Sequence, residues 1–167
     1  MRTPRKTAGI IKGRAGFTLV EMLVTLSIVA VLAGAAVPLA RTAIQREKEI
    51  DLRRNLRILR EAIDAYKNMA DENLFPVEAG SEGYPPDLET LVEGVEIVDK
   101  SEGASNEKKI VRFLRRIPRD PMTESLDWGL RSYQDDPDSD SWGGENVFDI
   151  YTRSTAKALD GSRYRDW

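Results

Sequence analysis

Residues 16–40 read Gly16-Phe-Thr-Leu-Val-Glu21-Met-Leu-Val-Thr-Leu-Ser-Ile-Val-Ala-Val-Leu-Ala-Gly-Ala-Ala-Val-Pro38-Leu-Ala40, and this stretch decides how the chain is built. From Met22 to Ala40 run 19 residues without a charge. As a helix rising about 1.5 Å per residue they cover roughly 28 Å, close to the about 30 Å of a bilayer's hydrocarbon core. Arg41 marks the return to polar surroundings. Upstream, residues 1–16 carry Arg2, Arg5, Lys6, Lys12 and Arg14 and no acid. A basic head before an apolar block is a membrane-targeting pattern that keeps the cations on the cytoplasmic side. Such asymmetric flanks argue against a buried core helix. A basic tail for nucleic acid fits poorly, because the apolar block follows at once and the remainder is acidic.

The 167-residue chain has 25 basic and 28 acidic residues. Subtracting the five leader cations leaves 20 against 28 for residues 17–167, a formal charge of −8. There is no cysteine and no histidine. That removes disulfides, thiolate nucleophiles, zinc-thiolate and iron–sulfur sites, and every triad or metal site built on imidazole. A metal would have to bind through oxygen, which favours calcium or magnesium. No Gly-rich phosphate loop ending in Gly-Lys-Ser/Thr occurs, so the chain holds no such nucleotide site.

Glu21 is out of place in a plain anchor, since a carboxylate near a bilayer costs a few kcal/mol unless it is paired. The Gly16-Phe17 junction supplies a partner. Cleavage there would make Phe17 a new N-terminus with a cationic amine, and Glu21 would stand one helical turn away. The two charges can then neutralise each other within one chain or between neighbours. An ordinary signal-peptidase cut after Ala33-Gly34-Ala35, releasing a domain that begins near Ala36, and a permanently uncleaved anchor are the competing readings.

Gly16-Phe-Thr-Leu-Val-Glu21, with its basic leader and apolar run, resembles the processing and methylation site of type IV pilins and type II secretion pseudopilins. Pro38 also falls at a usual proline position of that family. The resemblance implies cleavage after Gly16 by prepilin peptidase and N-methylation of Phe17. It further implies that Glu21 contacts the Phe17 amine of a neighbouring subunit during filament assembly.

No Gly or Pro interrupts residues 39–75, so the helix is expected to continue to about Met69, with a kink possible at Pro38. Leu52, Leu56, Leu59, Ile63 and Tyr66 follow one another at steps of 4, 3, 4 and 3, one stripe of an amphipathic helix. That stripe is read as packing on the protein's own sheet rather than on another subunit. Glu47, Glu49, Arg53, Arg54, Arg57 and Arg60 read as a solvated face, with subunit register as the alternative.

Beyond it, Asp87 is a plausible cap for a short helix ending at Glu93. Residues 100–108 are polar. Pro118 and Pro121 forbid a central strand there. Trp128 to Tyr133 and Asn146 to Tyr151 read as two strands. The expected fold is therefore α+β and pilin-like, a long N-terminal helix packed on a small C-terminal antiparallel sheet. Its parts are a basic leader 1–16 that is cleaved, a transmembrane and assembly helix 17–40, its amphipathic continuation 41–70, and a small periplasmic globular domain 71–167.

This second half sharpens the resemblance. Tyr84-Pro85, Leu88, Leu91-Val-Glu93, Phe113-Leu-Arg-Arg-Ile-Pro118-Arg-Asp-Pro121, Phe148-Asp-Ile-Tyr151 and Asp166-Trp167 are similar in order to the major pseudopilin of type II secretion. Departures are Met122-Thr123 after Asp120-Pro121, an acidic insertion over 124–145, and Thr155-Ala-Lys-Ala-Leu-Asp160-Gly161 in place of a Gly-rich turn. The resemblance implies a structural, non-enzymatic subunit. It would sit in the inner membrane with a single pass, N-terminus cytoplasmic and C-terminal domain periplasmic. Its implied partners are further copies in a filament, minor pseudopilins, prepilin peptidase and the inner-membrane assembly platform, and no nucleic acid. A type IV pilin for adhesion, motility or DNA uptake is the near alternative. The missing cysteines lean away from it, because those pilins often carry a C-terminal disulfide.

Two acidic regions bear on calcium. Asp135, Asp136, Asp138 and Asp140 lie close together, and oxygen ligands at alternate positions suit that ion. Counted from Asp136, position six is Ser141 and position twelve Val147, so the loop is not an EF-hand and reads as a solvated acidic turn. The resemblance instead implies a calcium ion after the last strand, held by Asp side chains and backbone carbonyls, for which Asp160 and Asp166 are the best matches. An acid–base pair such as Asp135 and Asp138 would suit a tethered hydrolase, but nothing else organises a catalytic site. Trp128, Trp142 and Trp167 read as core rather than as a platform for a sugar or cargo.

Overall fold

The computed structural model describes residues 16–98, 108–137, 139 and 141–167. The leader 1–15, most of the polar stretch after Val98, and Asp138 and Asp140 lie outside the described residues. Contacts divide the chain after Arg41, into a unit ending there and a unit Thr42–Trp167.

Helix α1 spans Leu19–Asp71, and Pro38 lies inside it. It starts at Thr18, whose Oγ1 accepts the Glu21 amide at 3.2 Å and whose carbonyl accepts that of Met22 at 3.1 Å. The threonine side chain thereby satisfies one of the amides that every helix start leaves open, that of Glu21. It ends where Asn73 turns left-handed, at φ 54°. Asn73 then donates to Ala70 and Leu74 to Met69, at 2.9 and 3.3 Å, which closes the last turn as a Schellman motif. The end lies two residues beyond the expected one.

In the first unit every described residue, 16–41, is exposed. The helix is long and apolar enough there to cross a membrane. Its hydroxyls turn inward on their own backbone, Thr25 to the Met22 carbonyl at 3.0 Å and Ser27 to that of Leu23 at 2.8 Å. Both hydroxyl donors are thereby satisfied within the helix.

In the second unit the predicted stripe is buried whole: Leu52, Leu56, Leu59, Ile63 and Tyr66 join Ala62 and Ala70 in the core. Each such leucine contributes about 1.5–3 kcal/mol by leaving water. Asp87 caps α2 (Leu88–Glu93), its Oδ1 accepting the Thr90 amide at 2.7 Å. Gly94 ends it at φ 88°, where an added Cβ would stand 2.4 Å from the Val111 carbonyl. The chain enters β1 (Val95–Val98), which pairs antiparallel with β2 (Lys108–Val111). β3 (Gly129–Arg131) pairs antiparallel with β4 (Asp149–Tyr151), as expected. A short 3₁₀ turn, Tyr164–Asp166, follows.

The layout is α+β, a long N-terminal helix followed by small antiparallel sheets. Among the described residues the strands form two two-stranded ladders rather than one sheet. The β1–β2 ladder was not anticipated. Val95-Glu-Ile-Val98 is too short to show a period of its own, and it is a strand because Val111 lies opposite Val95. The core is closed by Leu91, Val147, Ile150, Trp128 and Tyr164. Of the tryptophans, Trp128 is buried and donates to the Pro118 carbonyl at 2.9 Å. Trp167 packs against the core, while Trp142 is 40% exposed.

Candidate functional site

The Gly16–Phe17 bond lies on exposed, non-helical backbone two residues before α1. Among the described residues nothing stands within 4 Å of where a Gly16 Cβ would be, and Phe17 is 70% exposed. A protease can therefore take this bond in extended form without unwinding the helix. Glu21 sits in the first turn of α1, where the positive end of the helix dipole favours a carboxylate. Its backbone amide donates to the Thr18 hydroxyl. Among the described residues no cation lies within ion-pair distance of its side chain.

The charged run on the later part of α1 behaves differently from a uniform solvated face. Glu49 Oε1 accepts the Leu159 amide and the Tyr164 hydroxyl, both at 2.8 Å. Gln45 donates to the same hydroxyl at 2.9 Å and to the Lys157 carbonyl at 3.3 Å. The Arg53 guanidinium lies 4.1 Å over the Trp167 ring and 3.9 Å from Asp160. Arg60 donates from Nε to Asp149 at 2.7 Å, and from Nη2 to the Ile150 and Trp167 carbonyls at 3.3 and 2.8 Å. Glu47, Arg54 and Arg57 make no such bond among the described residues. The sequence showed equivalent charges, and only the docked C-terminal segment tells them apart.

The candidate metal residues also have protein partners. Asp160 Oδ1 accepts the Ser162 hydroxyl at 2.6 Å and the Ser162 amide at 2.9 Å. Those bonds, with Arg53 nearby, hold its carboxyl below the usual carboxylate range. Asp166 lies in the 3₁₀ turn. Asp135 Oδ2 accepts the Ser132 and Gly143 amides at 2.7 and 3.1 Å, closing the acidic loop on itself, while Asp136 is exposed. Among the described residues no group of three or more acidic side chains converges as a metal site would require.

The Ser132 amide, and next that of Gly143, hold the half-buried Asp135 carboxyl below the usual carboxylate range. A carboxyl depressed on folding stabilises fully above its unfolded pKa, about 3.9. That contribution is lost as pH falls through the lower folded value. Asp135→Ala is thus expected to melt below the parent at neutral pH, with the two melting temperatures converging well below pH 4. A gap that persists undiminished in acid would show that the carboxylate charge is not what closes the loop.

One anchor escaped the sequence reading. Asp120 is fully buried and accepts the Met122 amide at 2.8 Å, the Thr123 hydroxyl at 3.1 Å and the Thr152 hydroxyl. Its signal was the Asp-Pro turn with a threonine three residues on, a side-chain-closed turn.

Residues 11–37 match the family model of the prokaryotic N-terminal methylation motif. The match contains Gly16, Phe17 and Glu21 and stops one residue short of Pro38. No curated protein matches the chain, and no solved structure does.

Proposed function

We propose that this chain is the precursor of a pseudopilin-like subunit that assembles into a periplasm-spanning filament driving type II secretion. Prepilin peptidase cuts after Gly16, Phe17 is N-methylated, and residues 17–40 hold the subunit in the inner membrane until the assembly platform extracts it. The leader stays cytoplasmic and the second unit lies in the periplasm. Copies of the chain form the filament, together with minor pseudopilins. The methylation motif over residues 11–37 carries this reading. It is supported by the accessible Gly16–Phe17 bond and by a Glu21 carboxylate that finds no cation among the described residues of its own chain. Glu47, Arg54 and Arg57 remain available to register one subunit against the next.

The mature N-terminus and intact mass, measured on protein from native membranes, test the proposal. The expected product begins at N-methylated Phe17. A chain beginning near Ala36, or one with its leader intact, would remove the assembly mechanism. Deleting the gene then separates the two machines. Loss of exported protein from the medium with surface pili unchanged is expected for secretion. Loss of pili with export unchanged would assign the chain to a type IV pilus.

A further inference from the structure

The resemblance to the major pseudopilin implies a calcium ion beside the C-terminal segment, and the residues present do not build its site. Calcium takes six to eight oxygens. Residues 152–167 offer two carboxylates, Asp160 and Asp166, among four cations, Arg153, Lys157, Arg163 and Arg165. The carbonyls of Ala156, Ala158, Ser162, Arg163 and Tyr164 all accept backbone amides of the same segment. Those of Lys157 and Trp167 accept Gln45 and Arg60. Asp160 is taken by Ser162 and faces Arg53.

We propose that guanidinium groups of α1, Arg60 foremost and Arg53 beside it, fasten the C-terminal segment in place of a divalent cation, so that the domain folds independently of calcium. Arg60 does what a bridging ion would do. Its fork holds both oxygens of Asp149, at 2.7 and 3.3 Å. From the same group it reaches the carbonyls of Ile150 in β4 and Trp167 at the far end of the segment. A planar guanidinium has the donors for such a fork, and an ammonium does not. Arg53 covers the Trp167 ring, whose Nε1 donates to Ser162 at 2.8 Å and whose edge meets Tyr164. Two turns and one turn before Arg53 on the same face of α1, Gln45 holds Tyr164, and Glu49 holds Tyr164 and Leu159. The segment is thus held at both ends and in the middle by one helix face.

The test uses the full chain in detergent and reads tryptophan fluorescence on heating, since all three tryptophans lie in residues 128–167. It does not depend on processing or assembly, so it fails separately from the proposed function. The parent is expected to melt at the same temperature in excess calcium chloride and in excess EGTA. Arg60→Met is expected to melt roughly 5–10 °C lower, with Arg60→Lys recovering only part of the loss, and calcium restoring neither. A parent that loses several degrees in EGTA and regains them with calcium would overturn the proposal. So would Arg60→Met melting as the parent does. Should Arg60→Met not fold, the calcium–EGTA comparison on the parent and the Arg60→Lys melt still decide.

Discussion

Glu21→Val is expected to insert in the membrane and lose its leader as the parent does, yet to enter filaments about a hundredfold less often. After cleavage the Phe17 amine is a fixed cation at the edge of an apolar helix. Charges at membrane depth cost on the order of 2.5–3.5 kcal/mol each, and every 1.4 kcal/mol is about a factor of ten in an equilibrium. Among the described residues the Glu21 side chain has no cationic partner, and under the proposed assembly the neighbour's Phe17 amine would be the group that relieves it. Valine removes that relief and leaves the incoming amine unpaired. The apolar span is preserved, so insertion should not suffer. The measurement is the share of subunit in sheared or cross-linked filaments against the share in membranes. Incorporation equal to the parent's would dispose of the amine–carboxylate pairing.

Asp120→Ala is expected to cost the second unit about 3–5 kcal/mol and lower its melting temperature by roughly 10–15 °C. The carboxylate is 0% exposed and ties three groups at once, the Met122 amide and the Thr123 and Thr152 hydroxyls. Thr152 is itself fully buried, so its hydroxyl would be left without an acceptor and without water. Leaving one buried polar group unsatisfied costs about 1–3 kcal/mol, more where a charge was the partner. Asp127→Ala is the control. Its carboxylate pairs with Arg153 at 3.3 Å but is 66% exposed, and such pairs contribute about 0–1 kcal/mol. Fluorescence melting of the full chain distinguishes the two. An Asp120→Ala protein within about 2 °C of the parent would mean that water replaces the lost acceptor and that Asp120 is no anchor.

These two residues differ in how they could be found. Glu21 stands out in sequence because it breaks an apolar run, and its neighbours Gly16 and Phe17 complete a local motif. Asp120 lies in an ordinary-looking Asp-Pro turn. It matters because Thr152, far along the chain, folds back onto it. The same contrast holds for the arginines of α1. Arg53, Arg57 and Arg60 are alike in composition and spacing. Two of them bind the C-terminal segment, and Arg57 makes no hydrogen bond or ion pair among the described residues.

The sequence by itself determined α1, from its uninterrupted apolar run and its 3.6-residue stripe, and with it the cleavage and assembly motif. It also determined the cap at Asp87. All of these rest on interactions between residues close along the chain or on a period repeated often enough to read. The tertiary structure alone decided the β1–β2 ladder, the burial of Asp120 and the choice of Arg60 and Arg53 as fasteners. Each of those depends on a partner many residues away. A strand of four residues or a single charge carries no periodic signal, and its energy comes from the partner it meets rather than from its neighbours in sequence.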